Sequence, residues 1–527
     1  MIRPALITYT YDEKQDMLIK TFSSSVLGIK AIKISIEVHI TQGIRFFIVG
    51  LADHAIRESQ QRIESALSTN GFEWPRYRVV INLSPADIRK EGTHFDLPLA
   101  IGILAASHQV STSRLNAYLI LGELSLDGSV VPVKGVLPMV LMAREQHFKG
   151  VILPEDNRAE AEVVDGIEVV AVSDLSAVVS FLNGIPLETP EENTKLISMK
   201  VPEVCKDDFS EVKGQVAVKR AMLIAAAGSH NLLLIGPPGS GKSMMAHRLP
   251  GIMPPMSLEE SLQTTRIYSV SGRVGSTSGL ISTRPFRMPH HSSSNIALIG
   301  GGSTPQPGEI SLAHNGVLFL DELPEFKRAV LEVMRQPLED REIHISRAAY
   351  RVVYPSDFML VAAMNPCPCG YYNHPEKECN CGPGRIKQYL SRISGPLLDR
   401  IDIHLEVIPV PFRQLAQKEH SEGSASIRKR VVRAREIQLN RFEGSKLVRC
   451  NARMGIALRN RHCALDRAGS SLIRLAMENM GFSARAYDRI LKVARTIADL
   501  EESEKIHSSH LAEAINYRNL DRDGWSG

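Results

Sequence analysis

The sequence predicts an α/β multidomain protein built around a parallel sheet, and three observations carry that expectation. Leu232 to Ile235, Val317 to Leu320 and the stretch 358–363 are short, unbroken apolar runs. Strands covered on both faces read this way, because neither side-chain direction meets water. Each run ends in polar chemistry: the first in GPPGSGKS at 236–243, the second in Asp321-Glu322, the third at Asn365. Ligands of open parallel sheets collect beyond the strands' carboxyl ends.

In chain order, residues 1–185 alternate strand-like runs, such as Leu119 to Leu121 and Val151 to Leu153, with helical stretches such as 138–146, where Pro138 suits a first helical position. They form an independent α/β domain. Residues 186–208 are rich in Pro and charge and poor in periodic hydrophobics, the pattern of an interdomain linker. The core spans 209–410. Helices with alternating apolar and basic residues fill 411–527, interrupted by the polar run QKEHSEGSAS at 417–426, which suggests a flexible connector.

A chain of 527 residues, 43% hydrophobic and 23% charged, is long enough for about two to four folded domains. It has no apolar span of about 18 residues and no basic-then-apolar leader after Met1, so no membrane partner is expected and the cytoplasm is the default compartment. A net charge of +4 is too small to establish nucleic-acid binding.

The octad Gly236, Pro237, Pro238, Gly239, Ser240, Gly241, Lys242, Ser243 fits the pattern G-x-x-x-x-G-K-[ST]. A strand feeding a Gly-rich loop aims backbone N–H groups and a helix N-terminus at one point, where they satisfy the phosphate oxygens of ATP. Lys242 would reach the β- and γ-phosphates, and Ser243 would give a hydroxyl to Mg²⁺. The alternative is a chance Gly-Pro turn. Asp321 can hold Mg²⁺ through water, Glu322 can polarise the attacking water, and Asn365 can sense or orient that water. Arg400 and Arg485 carry guanidinium forks suited to phosphoryl charge, but either alone reads more readily as a surface ion pair.

These residues in this order resemble an AAA+ ATPase of the magnesium-chelatase-like branch, in particular the ComM (YifB) family. The wording that carries the resemblance is FFIVGLADHAIRESQQRIESAL, INLSPADIRKEGTHFDLPLAIG, RPFRMPHHSSSNIALIGGGSTPQPGEISLAHNGVLFLDELPEF, NPCPCG and ARAYDRILKVARTIADL. It implies a self-associating ring, a hexamer, with Arg400 acting in trans as an arginine finger and Arg485 as a sensor-2 arginine from a C-terminal helical lid. The N-terminal wording GELSLDGSVVPVKGVLPMVLMAREQHFKGVILPEDN resembles the proteolytic domain of Lon. His94 stands where the nucleophilic serine should be and Leu137 where the activating lysine should be, so the Ser-Lys mechanism has neither member.

Cys367, Cys369, Cys379 and Cys381 cluster as C-x-C…C-x-C, while Cys205, Cys450 and Cys463 are scattered. Four thiolates suit a structural Zn²⁺; a loop of reduced thiols and a redox disulfide are the other readings. The stretch 284–314, with Gly300-Gly301-Gly302, reads as a mobile loop, and the resemblance places it in the channel of the ring. Its pair His290-His291 reads as polar loop rather than metal site. Residues 342–354 alternate like a hairpin, with Arg347 and Arg351 as candidate DNA contacts or ordinary surface arginines. Arg428, Lys429, Arg430, Arg433 and Arg435 form a basic helix, either a solvated face or a phosphate-tracking one.

The resemblance implies an ATP-dependent DNA translocase or helicase that drives branch migration on single-stranded and branched DNA during natural transformation. A magnesium-chelatase motor subunit, disfavoured by the long N-terminal domain, a protein-remodelling chaperone and a Lon-like protease are the competing readings.

Overall fold

The computed structural model describes residues 18–187, 207–275, 279–302, 304–347, 351–372, 374, 376–410, 422–445 and 448–518. Most of the expected linker, the connector at 417–421 and Cys205 lie outside them. The chain forms two compact units, one of Met1–Ile197 with Tyr268–Leu280, the other of Ser198–Ile267 with Ile281–Gly527.

The first unit is built on a seven-stranded sheet in the order Phe46–Val49, Arg78–Ser84, Lys30–Thr41, Leu18–Leu27, Tyr118–Ile120, Gly150–Pro154, Glu168–Val172. Leu18–Leu27 and Lys30–Thr41 pair antiparallel over their length, and the strands from Leu18–Leu27 to Glu168–Val172 run parallel. The helix Asp96–Ala106 is buried at every residue, because its apolar residues occupy all faces rather than one stripe. The helix expected at 138–146 is Val136–Glu145, with Pro138 at its third position. Proline fits there too, since first-turn N–H groups have no intrahelical acceptor.

The second unit holds a five-stranded sheet in the order Phe286–Arg287, Val317–Leu320, Met359–Met364, Leu232–Ile235, Ile403–Glu406, parallel throughout. All residues of the three inner strands are buried, as their unbroken apolar runs require. The C-terminal helices Ser424–Arg441, Arg467–Met480, Ala484–Leu500 and Ser508–Asn516 follow. Ala484–Leu500 is N-capped by Ser483, whose side chain accepts from the Ala486 N–H, and buries Ile490, Val493, Ala494 and Ile497 on one stripe. Each buried isoleucine there contributes roughly 1.5–3 kcal/mol. These residues join one hydrophobic core with the sheet strands.

One expectation needs correction. The stretch 284–314 is not one loop: Phe286–Arg287 extends the main sheet, Asn295–Ile299 and Glu309–Leu312 are short helices, and Gly300–Gly301 pairs with Gln306–Pro307. Runs this short carry no readable period. In the basic helix Lys429, Arg430 and Arg433 are exposed, whereas two other arginines are tied into the fold. Arg435 donates to the carbonyls of Ala226 and Ala227 at 3.0 Å, where they end the helix Val216–Gly228, and Arg428 donates to the Gly251 carbonyl at 2.7 Å. Arg430 pairs with Glu422, and Arg433 with Glu502. Cations at helix C-terminal carbonyls stabilise the helix dipole, so Arg428 and Arg435 are structural ties.

Candidate functional site

The phosphate loop leaves the strand Leu232–Ile235, next to both Met359–Met364 and Ile403–Glu406. A Cβ at Gly236 would lie 2.3 Å from the Val407 carbonyl oxygen, so only glycine permits that approach. Gly239 and Gly241 adopt φ of +78° and +88°. The turn at Gly241 starts the helix Lys242–Ile252, whose N–H groups therefore face the loop. Lys242 Nζ donates to the Gly236 carbonyl at 2.6 Å and the Pro237 carbonyl at 2.9 Å, and lies 3.3 Å from Asn365 Oδ1. Burial pushes the Lys242 ammonium below its ordinary value, and the Asp321 charge opposes the shift.

Ser243 Oγ donates to Asp321 Oδ2 at 2.6 Å. The hydroxyl and carboxylate thus converge as a Mg²⁺ site at a phosphate loop requires. Glu322 follows in the left-handed region, at φ 51° and ψ 47°, where a non-glycine residue is held only by its surroundings. Its carboxylate lies 3.3 Å from His291 Nδ1. The sequence holds no local sign of this neighbour, because the two residues belong to different elements.

The structure brings Lys242, Ser243, Asp321 and Asn365 together, with Glu322 beside Asp321, and sets the two arginines elsewhere. Arg400 is buried, pairs with Glu339 and donates to the Pro396 carbonyl, so within one chain it is not presented to a neighbour as a finger. Arg485 is exposed near the start of Ala484–Leu500, 3.9 Å from Asp399. Glu339 and Asp399 could not be read as partners from linear charge. Residues 342–354 form the expected antiparallel hairpin, Glu342–Ser346 with Arg351–Pro355; Arg347 and Arg351 are exposed, and the tip at 348–350 lies outside the described residues.

The four clustered cysteines place their sulfurs within 4.8 Å of one another. Among the described residues this is the only such group, and His290 and His291 instead lie against each other as tilted rings with centroids 4.1 Å apart. Cys450 and Cys463 are buried.

In the first unit, His94 Nε2 lies 2.8 Å from the Ser24 carbonyl, and Leu137 is buried with its N–H donated to Glu160 at 2.9 Å. Burial lowers the His94 pKa, with the Ser24 carbonyl opposing it. Nearby Lys90 is fully buried and donates to the Gly50 and Pro85 carbonyls.

Three family models match: magnesium chelatase, subunit ChlI, over residues 208–415; subunit ChlI of Mg-chelatase over 36–157; and the ChlI C-terminal region over 421–518. With the phosphate loop and parallel sheet, they define an AAA+ protein of the magnesium-chelatase type, for which ATP and Mg²⁺ are the implied ligands. The chain is 43% identical to the competence protein ComM of Haemophilus influenzae over 506 residues, 95% of this chain and 97% of that one. It is 42% identical to YifB of Escherichia coli over 502 residues, 94% and 96% of the two chains. The chain belongs to the ComM/YifB family. A partial likeness, 33% identity over 135 residues, links 25% of the chain to Lon protease 2 of Bacillus subtilis, 23% of that protein. Among the described residues, no helix is long and apolar enough to cross a membrane.

Proposed function

We propose that the chain hydrolyses ATP as a ring-forming motor, a hexamer, that translocates on single-stranded and branched DNA and drives branch migration in natural transformation. The observation that carries the hydrolytic half is the meeting of Ser243 and Asp321 at 2.6 Å beside Lys242, with Glu322 next in the chain. Mg²⁺ supplies charge neutralisation of the phosphates there. Lys242 would exchange the Gly236 and Pro237 carbonyls for phosphate oxygens, and Ser243 and Asp321 would hold the metal. Glu322 accepts a proton from the attacking water, and Asn365 orients that water. Arg400 must leave Glu339 to contact a neighbour's nucleotide, so ring assembly and that ion pair compete. Arg485 closes over the phosphates from the C-terminal helices. Arg347 and Arg351 are the DNA contacts of this reading.

The DNA half rests on the likeness to a competence protein over nearly the whole chain. The N-terminal region does not itself argue against a chelatase subunit, since a family model of that name covers 36–157. Coverage separates the readings better: the magnesium-chelatase 38 kDa subunit of Cereibacter sphaeroides is 24% identical over 174 residues, 30% of this chain. The four thiolates are read as holding Zn²⁺, as structural zinc sites do in a reducing cytoplasm.

The deciding experiment is the ATPase rate with and without single-stranded and four-way-junction DNA, together with strand exchange on the junction, with Glu322→Gln as control. DNA stimulation with ATP-dependent junction movement supports the motor. An active ATPase indifferent to DNA at low salt overturns it in favour of a protein remodeller or chelatase-like motor.

A further inference from the structure

We propose that a Zn²⁺ held by Cys367, Cys369, Cys379 and Cys381 buttresses the phosphate loop, so that metal occupancy sets the affinity for nucleotide; this rests on the zinc reading above. The sulfur geometry suits the ion. Cys367 lies 3.3 Å from Cys369 and 3.7 Å from Cys379, and Cys369 lies 3.6 Å from Cys379. Tetrahedral Zn–S bonds of about 2.3 Å place sulfurs about 3.8 Å apart, close to the 3.7 and 3.6 Å separations to Cys379 and longer than the 3.3 Å between Cys367 and Cys369. A disulfide needs about 2.05 Å, and the cysteines are free. Backbone N–H groups of Tyr372 and Cys381 point at Cys367 Sγ and Cys379 Sγ, at 3.3 and 3.5 Å, as thiolates require of their surroundings.

Two links run from this cluster to the phosphate loop. Asn365, between the strand Met359–Met364 and Cys367, lies 3.3 Å from Lys242 Nζ. Gly370, within the cluster's first turn, has φ +85°, and a Cβ there would lie 2.6 Å from Pro238 Cδ. The turn's backbone therefore rests directly on the ring of a phosphate-loop residue. None of residues 376–385 is buried, so apolar packing does not hold the returning limb that carries Cys379 and Cys381. A tetrathiolate metal supplies the missing constraint, and the constraint is transmitted to Pro238 through Gly370.

The test uses the full-length protein. Zinc per chain is counted by elemental analysis, and affinity for a fluorescent mant-ATP is titrated for the wild type, Cys379→Ser and Gly370→Ala, with melting curves to confirm folding. The wild type should hold one zinc per chain. Cys379→Ser should lose it and bind mant-ATP about tenfold more weakly. Gly370→Ala should keep its zinc and still bind nucleotide more weakly, because its new methyl displaces Pro238. Stripping the wild type with a chelator and restoring ZnCl₂ covers the case in which the cysteine variant does not fold; affinity should fall and return. Zinc-free wild type overturns the zinc reading and the proposal with it. Zinc that is lost without change in affinity, in folded protein, overturns the coupling alone and leaves the zinc site standing.

Discussion

Both units carry a glycine turn in the left-handed region that leads into a helix, yet the polar groups around the two turns are arranged differently. In the first unit Gly92, at φ +103°, precedes Thr93 and His94 and then the helix Asp96–Ala106. In the second, Gly241, at φ +88°, starts the helix Lys242–Ile252. Around the first turn His94 is bound to the Ser24 carbonyl, and Asp96 is gripped by Arg62 at 2.7 and 2.9 Å. Around the second, Lys242, Ser243, Asp321 and Asn365 converge from three strand ends. A strained turn before a helix is common scaffold; reactivity comes from what the neighbouring strands deliver to it.

The strongest way to break this contrast is Glu322→Gln. Removing the proton acceptor while keeping the shape should lower ATP turnover by about 10²–10⁴-fold with nucleotide binding intact, and equal turnover in a steady-state assay would sink the assignment. Acid sharpens the contrast next. His314 is buried and held down to about 4, chiefly by burial, against a usual value of 6.5. A histidine depressed in the folded state contributes stability that is full above pH 6.5 and is lost as the pH falls through 6.5 toward 4. Its share is about 3 kcal/mol. His230 and His404 shift the same way in the same unit, whereas the first unit has His94. Hydrogen exchange at pH 7.5 and 5 should therefore show the nucleotide-binding unit loosening more.

Lys242→Ala should weaken mant-ATP binding by roughly 10–100-fold, the worth of one or two charge-assisted hydrogen bonds, and unchanged affinity would remove the loop from the site. The smallest effect belongs to His94→Ala, which should leave ATP turnover within about twofold and create no peptide cleavage, while lowering stability by about 1–3 kcal/mol. Peptidase activity that disappears in this variant would mean that the first unit is catalytic after all.

The inner strands were legible because complete burial leaves an unbroken apolar run, and Leu232–Ile235 and Val317–Leu320 begin and end where the sequence says. The phosphate-loop residues were legible because their spacing is local. Arg400 was not: whether a guanidinium faces solvent or Glu339 depends on the folding of distant segments. His291 beside Glu322 and Gly370 on Pro238 were hidden for the same reason. Phe286–Arg287 escaped because two residues of edge strand, sitting in a Gly- and Pro-rich stretch, show no period.

Tyr268–Leu280 belongs to the first unit although the chain on either side of it belongs to the second. Within that unit the Gly135 N–H donates to the Ser269 carbonyl at 3.0 Å. A single protease nick between 187 and 207 therefore cannot release the N-terminal unit as a complete fragment, and a gene truncated there encodes that unit without one of its own pieces. The chain passes from one unit to the other three times, so the N-terminal unit is not one contiguous stretch of sequence.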